Sequence, residues 1–319
     1  MNKSPTGTNC RRTNAQGTAE HGSRPPKLSA RLGALFDMVP PCAFAVDVGC
    51  DHGYIPIALV DSGKCPHALA CDINAGPLAK AEENIRAAGL SEQIGTCLSN
   101  GLRNPEIYEK ISAFTKMQIS PEKTPSAEAF ASSAQLKDEI PHFCKKGTLI
   151  IAGMGGLLMV DILENAVDLD NTFSCMILQP QSDVSAVRNW LVRHGWTICE
   201  ETALVEDGKY YEGIKAVRTP EFSEGAKTGR TEAFCEDIKE GRTEEICEDT
   251  NPVTLTPAEA WFGPVLLRMH HPDTREHMLK QRDVRREILG RLPENSEKRW
   301  QEVLAELAII EEGLAMISQ

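Results

Sequence analysis

The string Val46-Asp47-Val48-Gly49-Cys50-Asp51-His52-Gly53-Tyr54 joins an apolar strand to a helix through a turn that carries two glycines. A turn of this kind lets backbone N–H groups approach a nucleotide-like ligand closely at the start of a helix. Gly49 and Gly53 supply the sterically open positions. The string is not GxGxxG, and a glycine turn alone is weak evidence. Cys71-Asp72 closes the next apolar stretch, about twenty residues after Gly53, where a carboxylate accepts from a ribose diol. The competing role for Asp72 is to cap the helix that follows. Asn100-Gly101 comes after the third apolar stretch, and its amide can meet an adenine edge or simply form a turn. Gly153-Met154-Gly155-Gly156 follows the fourth, and so many glycines imply close backbone approach or positive φ.

These residues need a scaffold that brings strand ends together. Strands are predicted over residues 43–48, 67–71, 94–98, 148–152 and 175–178, alternating with helices after Tyr54 and over 77–88, 157–164 and 184–194. Alternation of this length implies a parallel sheet covered on both faces. Two last strands, 196–205 and 210–217, flank Glu206-Asp207-Gly208-Lys209, whose Asp-Gly pair is a strong hairpin signal. The expected fold is therefore α/β, a Rossmann-like sheet ending in an antiparallel hairpin. An amphipathic helix precedes it, with Leu28, Leu32, Leu35, Phe36 and Val39 on one side and Ser29 in the cap region.

The expected organisation is a flexible tail over 1–27, a Rossmann-like domain over 28–218, an acidic linker over 219–252 and a helical hairpin over 253–319. Residues 114–139 show no period and read as a loop inserted in the domain. The linker holds a short repeat, 229–240 followed by 241–250, too few copies for a solenoid. In the last segment Trp300, Val303, Leu307, Ile310, Leu314 and Ile317 step by three and four, an a/d seam. With the basic stretch 274–292 before it, this predicts a two-helix antiparallel coiled coil, the alternative being a helix packed on the main domain.

With 41% hydrophobic and 25% charged residues, the 319-residue chain reads as globular, and no run reaches the length of a membrane span. The tail lacks the apolar core of a secretory signal, so a cytoplasmic protein is expected. Its eleven cysteines include no CxxC pair, so no metal site is suggested and buried reduced thiols are expected. The net charge of −12 disfavours a nucleic-acid partner without excluding one, because the acid is concentrated in 221–249 and basic residues cluster in 268–299.

The strings Asp47-Val48-Gly49-Cys50-Asp51-His52-Gly53-Tyr54-Ile55-Pro56, Ile151-Ala152-Gly153-Met154-Gly155-Gly156, Leu178-Gln179-Pro180 and Glu206-Asp207-Gly208-Lys209-Tyr210-Tyr211-Glu212 occur in this order. Together they resemble the bacterial TrmK family, class I S-adenosylmethionine-dependent tRNA methyltransferases that modify N1 of adenine 22. The likeness runs from Leu28 to about Val217, and the coiled-coil tail is also similar. It implies S-adenosylmethionine as cofactor and tRNA as partner, with no membrane. Cofactor contacts are implied for Gly49, Asp51, His52, Gly53, Asp72, Asn100 and Gly101, with Met154 and Gly155 beside the methyl donor. Gln179-Pro180 is implied near the target base. The family usually has Asp-Gly where this chain has Asn100-Gly101, and Asn accepts without the charge.

Adenine N1 has its own lone pair, so methyl transfer to it needs no strong base. Asp51, His52 and Gln179 are the expected catalytic group, Asp51 and His52 shaping the pocket and Gln179 orienting the base. A structural role for His52 stays open. Arg275, Lys280, Arg282, Arg285 and Arg286 could clamp tRNA phosphates or merely form a solvated helix face. The alternatives are another methyl acceptor or a non-catalytic RNA-binding protein of the same fold. A nicotinamide oxidoreductase is disfavoured by the missing GxGxxG and by the hairpin. Oligomeric state is not legible, and a monomer is compatible with everything above.

Overall fold

Among the described residues seven strands follow in chain order: β1 (Ala45–Val48), β2 (Ala68–Asp72), β3 (Ile94–Leu98), β4 (Gly147–Met154), β5 (Phe173–Pro180), β6 (Trp196–Glu206) and β7 (Lys209–Arg218). In space they form one sheet of order β3-β2-β1-β4-β5-β7-β6. The first five are parallel, and β7 enters antiparallel between β5 and β6. The chain order reverses between β1 and β4, so a crevice opens at their carboxyl ends, where ligands of open α/β sheets bind. The computed structural model describes residues 27–118, 146–218, 254–293 and 295–318. The tail, the acidic repeat and most of the expected insertion lie outside these.

Strand alternation splits the core into two layers. On one face Ala45, Ala70, Ile150 and Ile177 pack beneath α1 (Ala30–Met38), α2 (Tyr54–Asp61) and α3 (Ala75–Ala87). On the other, Val46, Val48, Leu149, Ile151 and Leu178 meet α4 (Pro105–Gln118), α5 (Gly156–Glu164) and α7 (Val184–Arg193). A short turn of helix, α6 (Leu169–Thr172), leads into β5. Every residue of β5 is buried, as expected of a strand paired on both sides and covered on both faces. The β6–β7 turn has Asp207 at φ 50° and Gly208 at φ 75°, the two positive values a tight hairpin turn demands.

Several expectations needed correction at their edges. Helix α4 was not foreseen, although Asn104 accepts from the Glu106 N–H at 3.0 Å and Pro105 begins the helix. It runs through Gln118, so Phe114 does not begin a loop. Its ring stacks on His67 at 5.0 Å. Strands β4 and β5 run further than the apolar runs suggested. They carry Gly153-Met154 and Gln179-Pro180 within the sheet, with Met154 opposite Pro180.

After the described part of the sheet domain, α8 (Pro257–Phe262) and α9 (Pro264–Arg268) come before the two long helices α10 (Pro272–Arg291) and α11 (Glu297–Ile317). The long pair is antiparallel: Arg285 of α10 binds Glu306 of α11 at 3.0 Å, while the earlier Met278 of α10 packs on the later Gly313 of α11; Arg286 binds Glu311 at 2.8 Å. Val303, Ile310, Leu314 and Ile317 of the a/d seam are buried, and Trp300 and Leu307 are half-buried. The hairpin is also seated on the sheet domain, since the Tyr210 ring of β7 stacks on His277 at 4.0 Å and its hydroxyl lies 2.9 Å from Thr274 Oγ1. Both readings of the C-terminal region therefore describe part of it.

Candidate functional site

The turn after β1 folds back on the end of β2. Gly49 and Cys50 N–H both donate to the Cys71 carbonyl, at 2.8 and 3.0 Å. Gly49, Asp51 and Gly53 all take positive φ, at 79°, 50° and 70°. Three left-handed residues in five curl the loop tightly, and at Asp51 a non-glycine carries that strain, of the order of 1–2 kcal/mol. Asp72, almost wholly buried, pins the loop: one carboxylate oxygen accepts from the Asp51 N–H at 3.4 Å and the other from the Asn74 N–H at 2.8 Å. Each oxygen keeps a lone pair for a ligand. The N-cap of α3 is Asn74, so Asp72 does not cap that helix; it holds the Asn74 N–H ahead of it and keeps lone pairs for a ligand.

Met154 forms the opposite wall. A methyl group on Gly49 would stand 2.8 Å from Met154 Cε. Gly53 is tight for another reason: there a methyl would press on Ala81 of α3 at 3.1 Å. Other glycines have structural causes too. At Gly156 a side chain would run into the Ser182 and Asp183 carbonyls at 2.5 Å, and at Gly101 into Ile162 at 2.8 Å. Gly155 lies against Ser182 and caps α5 without a side-chain hydrogen bond. Asn100 is exposed and makes no hydrogen bond among the described residues. Apolar Ile73 and Leu98 stand exposed just past β2 and at the tip of β3.

Asp51 and His52 meet at 3.6 Å, with the Asp51 carboxylate largely open to solvent. The His52 ring tilts against Tyr54 at 5.4 Å, and its carbonyl accepts from Asn84 Nδ2 at 2.9 Å. Gln179 is buried separately, on the α1 face of the sheet, where Arg31 Nη1 donates to its Oε1 at 2.5 Å. No hydrogen bond or ion pair among the described residues joins Gln179 to Asp51 or His52. What they share is the carboxyl edge of the sheet.

Two residues missed in the sequence belong to this edge. Asp47 is buried in β1, and its carboxyl makes no hydrogen bond among the described residues. Burial, with Asp72 and then Asp51 beside it, pushes its carboxyl up to about 7. An acid inside an otherwise apolar strand was the available signal. Arg31 gave none, because its partners Gln179 and Glu206 lie 148 and 175 residues away.

Between the two readings of the hairpin's basic residues, phosphate clamp or solvated face, most of the named cations are engaged by acids. Its two helices hold eight Lys and Arg against nine Asp and Glu. Lys280 pairs with Glu276, Arg282 with Asp283, Arg285 with Glu306 and Arg286 with Glu311, whereas Arg275 has no ion pair among the described residues. Among the described residues no helix is long and apolar enough to cross a membrane.

Residues 28–116 and 133–214 match the methyltransferase domain family. The chain is 30% identical over 190 residues to the tRNA (adenine(22)-N(1))-methyltransferase of Bacillus subtilis (strain 168), a match covering 60% of this chain and 65% of that protein. Among solved structures it resembles Streptococcus pneumoniae Sp1610 in complex with S-adenosyl-L-methionine, a candidate tRNA (m1A22) methyltransferase. There the TM-score is 0.61 with 25% identity, over 90% of this chain and 100% of that one. It also shares the fold of M. capricolum TrmK bound to S-adenosyl-homocysteine, with a TM-score of 0.62 and 23% identity over 91% and 99% of the two chains.

Proposed function

Because this chain belongs to the methyltransferase domain family, we propose that it transfers the methyl group of S-adenosylmethionine to N1 of an adenine in tRNA, position 22. The observation that carries the reading is the curled loop Gly49–Gly53, pinned to Asp72 and walled by Met154 at the crevice between β1 and β4. The TrmK-type relatives supply the acceptor. Such a reaction on tRNA belongs in the cytoplasm.

The crevice suits the cofactor's parts. Asp72 offers lone pairs to a ribose diol, and the loop from Gly49 through Asp51 to Gly53 offers backbone to the amino-acid end. Asn100 and Gly101 flank the adenine place, with Ile73 and Leu98 as apolar neighbours. Met154 and Gly155 border the methyl. Bound there, S-adenosylmethionine supplies a methyl on a positive sulfonium, an electrophile that a ring nitrogen with a free lone pair attacks unaided. The protein's own work is then positioning: both reactants must be held at attack distance, and this accounts for much of the rate. Asp51, exposed beside His52, offers negative charge where the methylated base becomes cationic. Gln179 holds the base edge.

The test is methyl transfer from labelled S-adenosylmethionine to unmodified tRNA transcripts, followed by nucleoside analysis. The expected product is 1-methyladenosine, lost when adenine 22 is replaced. Cofactor binding without transfer to any tRNA would redirect the search to another acceptor.

A further inference from the structure

Taking tRNA adenine methylation as its basis, we infer that Arg31 is a positioning residue that decides which end of the Gln179 amide faces the base. A guanidinium has five donors and no acceptor. The atom of Gln179 that meets Arg31 Nη1 at 2.5 Å must therefore be the oxygen, and the amide cannot flip without setting N–H against N–H. The nitrogen is turned away from Arg31, and it makes no hydrogen bond among the described residues although Gln179 is only 1% exposed. An amide donor without a protein acceptor is free to donate to a ligand. Its placement at the carboxyl end of β5, opposite Ala152 and one residue from the Met154–Pro180 pair, puts it beside the wall assigned to the methyl.

Arg31 is held in turn. Its backbone N–H donates to Glu206 Oε1 at 3.1 Å, its Nε lies 3.9 Å from Glu206 Oε2, and its guanidinium lies 5.4 Å from the centre of the Tyr211 ring. The hairpin thus fixes Arg31, and Arg31 fixes Gln179. Adenine offers three ring acceptors, N1, N3 and N7. N1 spends its lone pair on the methyl, so Gln179 Nε2 donates to N3 or N7 and turns N1 toward the donor.

The experiment compares kcat/KM on a tRNA with adenosine, 7-deazaadenosine or 3-deazaadenosine at the target, for wild type, Gln179→Glu and Arg31→Met. Gln179→Glu keeps an acceptor for Arg31 but has no N–H to give, and Arg31→Met frees the amide to turn. One deaza substrate is expected to lose up to about tenfold with wild type, the size of one hydrogen bond. With either variant that penalty is expected to shrink to within about twofold, the scatter of independent effects. Changes in the intrinsic reactivity of N1 cancel between proteins. No penalty with wild type, or an equal penalty in all three proteins, overturns the inference. Loss of the penalty in Gln179→Glu but not in Arg31→Met overturns the role of Arg31. If wild type methylates none of the transcripts, the tRNA reading falls and takes this inference with it.

Discussion

Arg188 Nε donates to Glu201 Oε1 at 2.8 Å, and both side chains are wholly removed from water. The same guanidinium reaches Glu212 Oε2 at 3.0 Å and, through Nη1, the Ala260 and Trp261 carbonyls. Glu201 Oε2 accepts from the Val265 and Leu266 N–H groups at 2.8 and 3.3 Å, the start of α9. One buried cation therefore joins α7, β6 and β7 to the C-terminal helices. Arg188→Met leaves two acids in the core, and losing one partner of such a group costs about 3–5 kcal/mol. Denaturant unfolding should show this, and a cost near zero would mean that the junction opens to water.

Asp47 makes stability depend on pH in an unusual direction. Its folded value, pushed up to about 7 by burial and then by Asp72 and Asp51, lies above its ordinary 3.8. The native state keeps a proton that the unfolded chain has lost, so this group lowers stability as pH rises from about 4 to about 7, with no further change above. Asp47→Asn should unfold at the same denaturant concentration as wild type near pH 4 and gain up to about 4 kcal/mol by pH 8. A gain independent of pH would show that the carboxyl is not held protonated.

Gly49 and Gly63 allow a controlled comparison, since both have φ near 76–79° but only Gly49 faces a neighbour. Gly63→Ala should cost the left-handed strain alone, roughly 1–2 kcal/mol. Gly49→Ala should cost at least as much and, by displacing Met154, also weaken cofactor binding several-fold. Calorimetric titration with S-adenosylmethionine separates the two, and equal affinities would remove Gly49 from the proposed cradle.

Asn100→Asp restores the carboxylate usual in the TrmK family. If an adenine amino group binds there, a charged acceptor should tighten cofactor affinity several-fold, since charge-assisted hydrogen bonds are about twice as strong. Equal or weaker binding would place the adenine elsewhere.

Charge reversal distinguishes the hairpin's arginines. Arg275→Glu, at a residue with no ion pair among the described ones, should weaken tRNA binding and reduce the magnitude of its salt slope by about 1. Arg285→Glu, which sets a like charge against Glu306, should first lower thermal stability. Unchanged tRNA affinity in Arg275→Glu would remove the hairpin from the tRNA footprint.

Much of this architecture is local and so was legible in the chain. Short apolar runs alternating with helices named the strands of the sheet, Asp207-Gly208 named the hairpin, and the a/d steps from Trp300 to Ile317 named α11. The Gly49–Gly53 turn and Asp72 were readable because strand ends in a parallel sheet converge on one edge. Their backbone and carboxylate do meet there, at 3.4 Å between the Asp51 N–H and Asp72. What the sequence could not contain is pairing across distance. Nothing in the sequence singles out Arg188, which two glutamates from β6 and β7 neutralise in the core. For the hairpin arginines the sequence left a phosphate clamp and a solvated face both open, and the acids of α11 pair with two of them, Arg285 and Arg286. Arg31 acquires its meaning from Gln179 and Glu206, more than a hundred residues away. A charge's role depends on what lies within a few ångströms of it, and only the tertiary structure decides that.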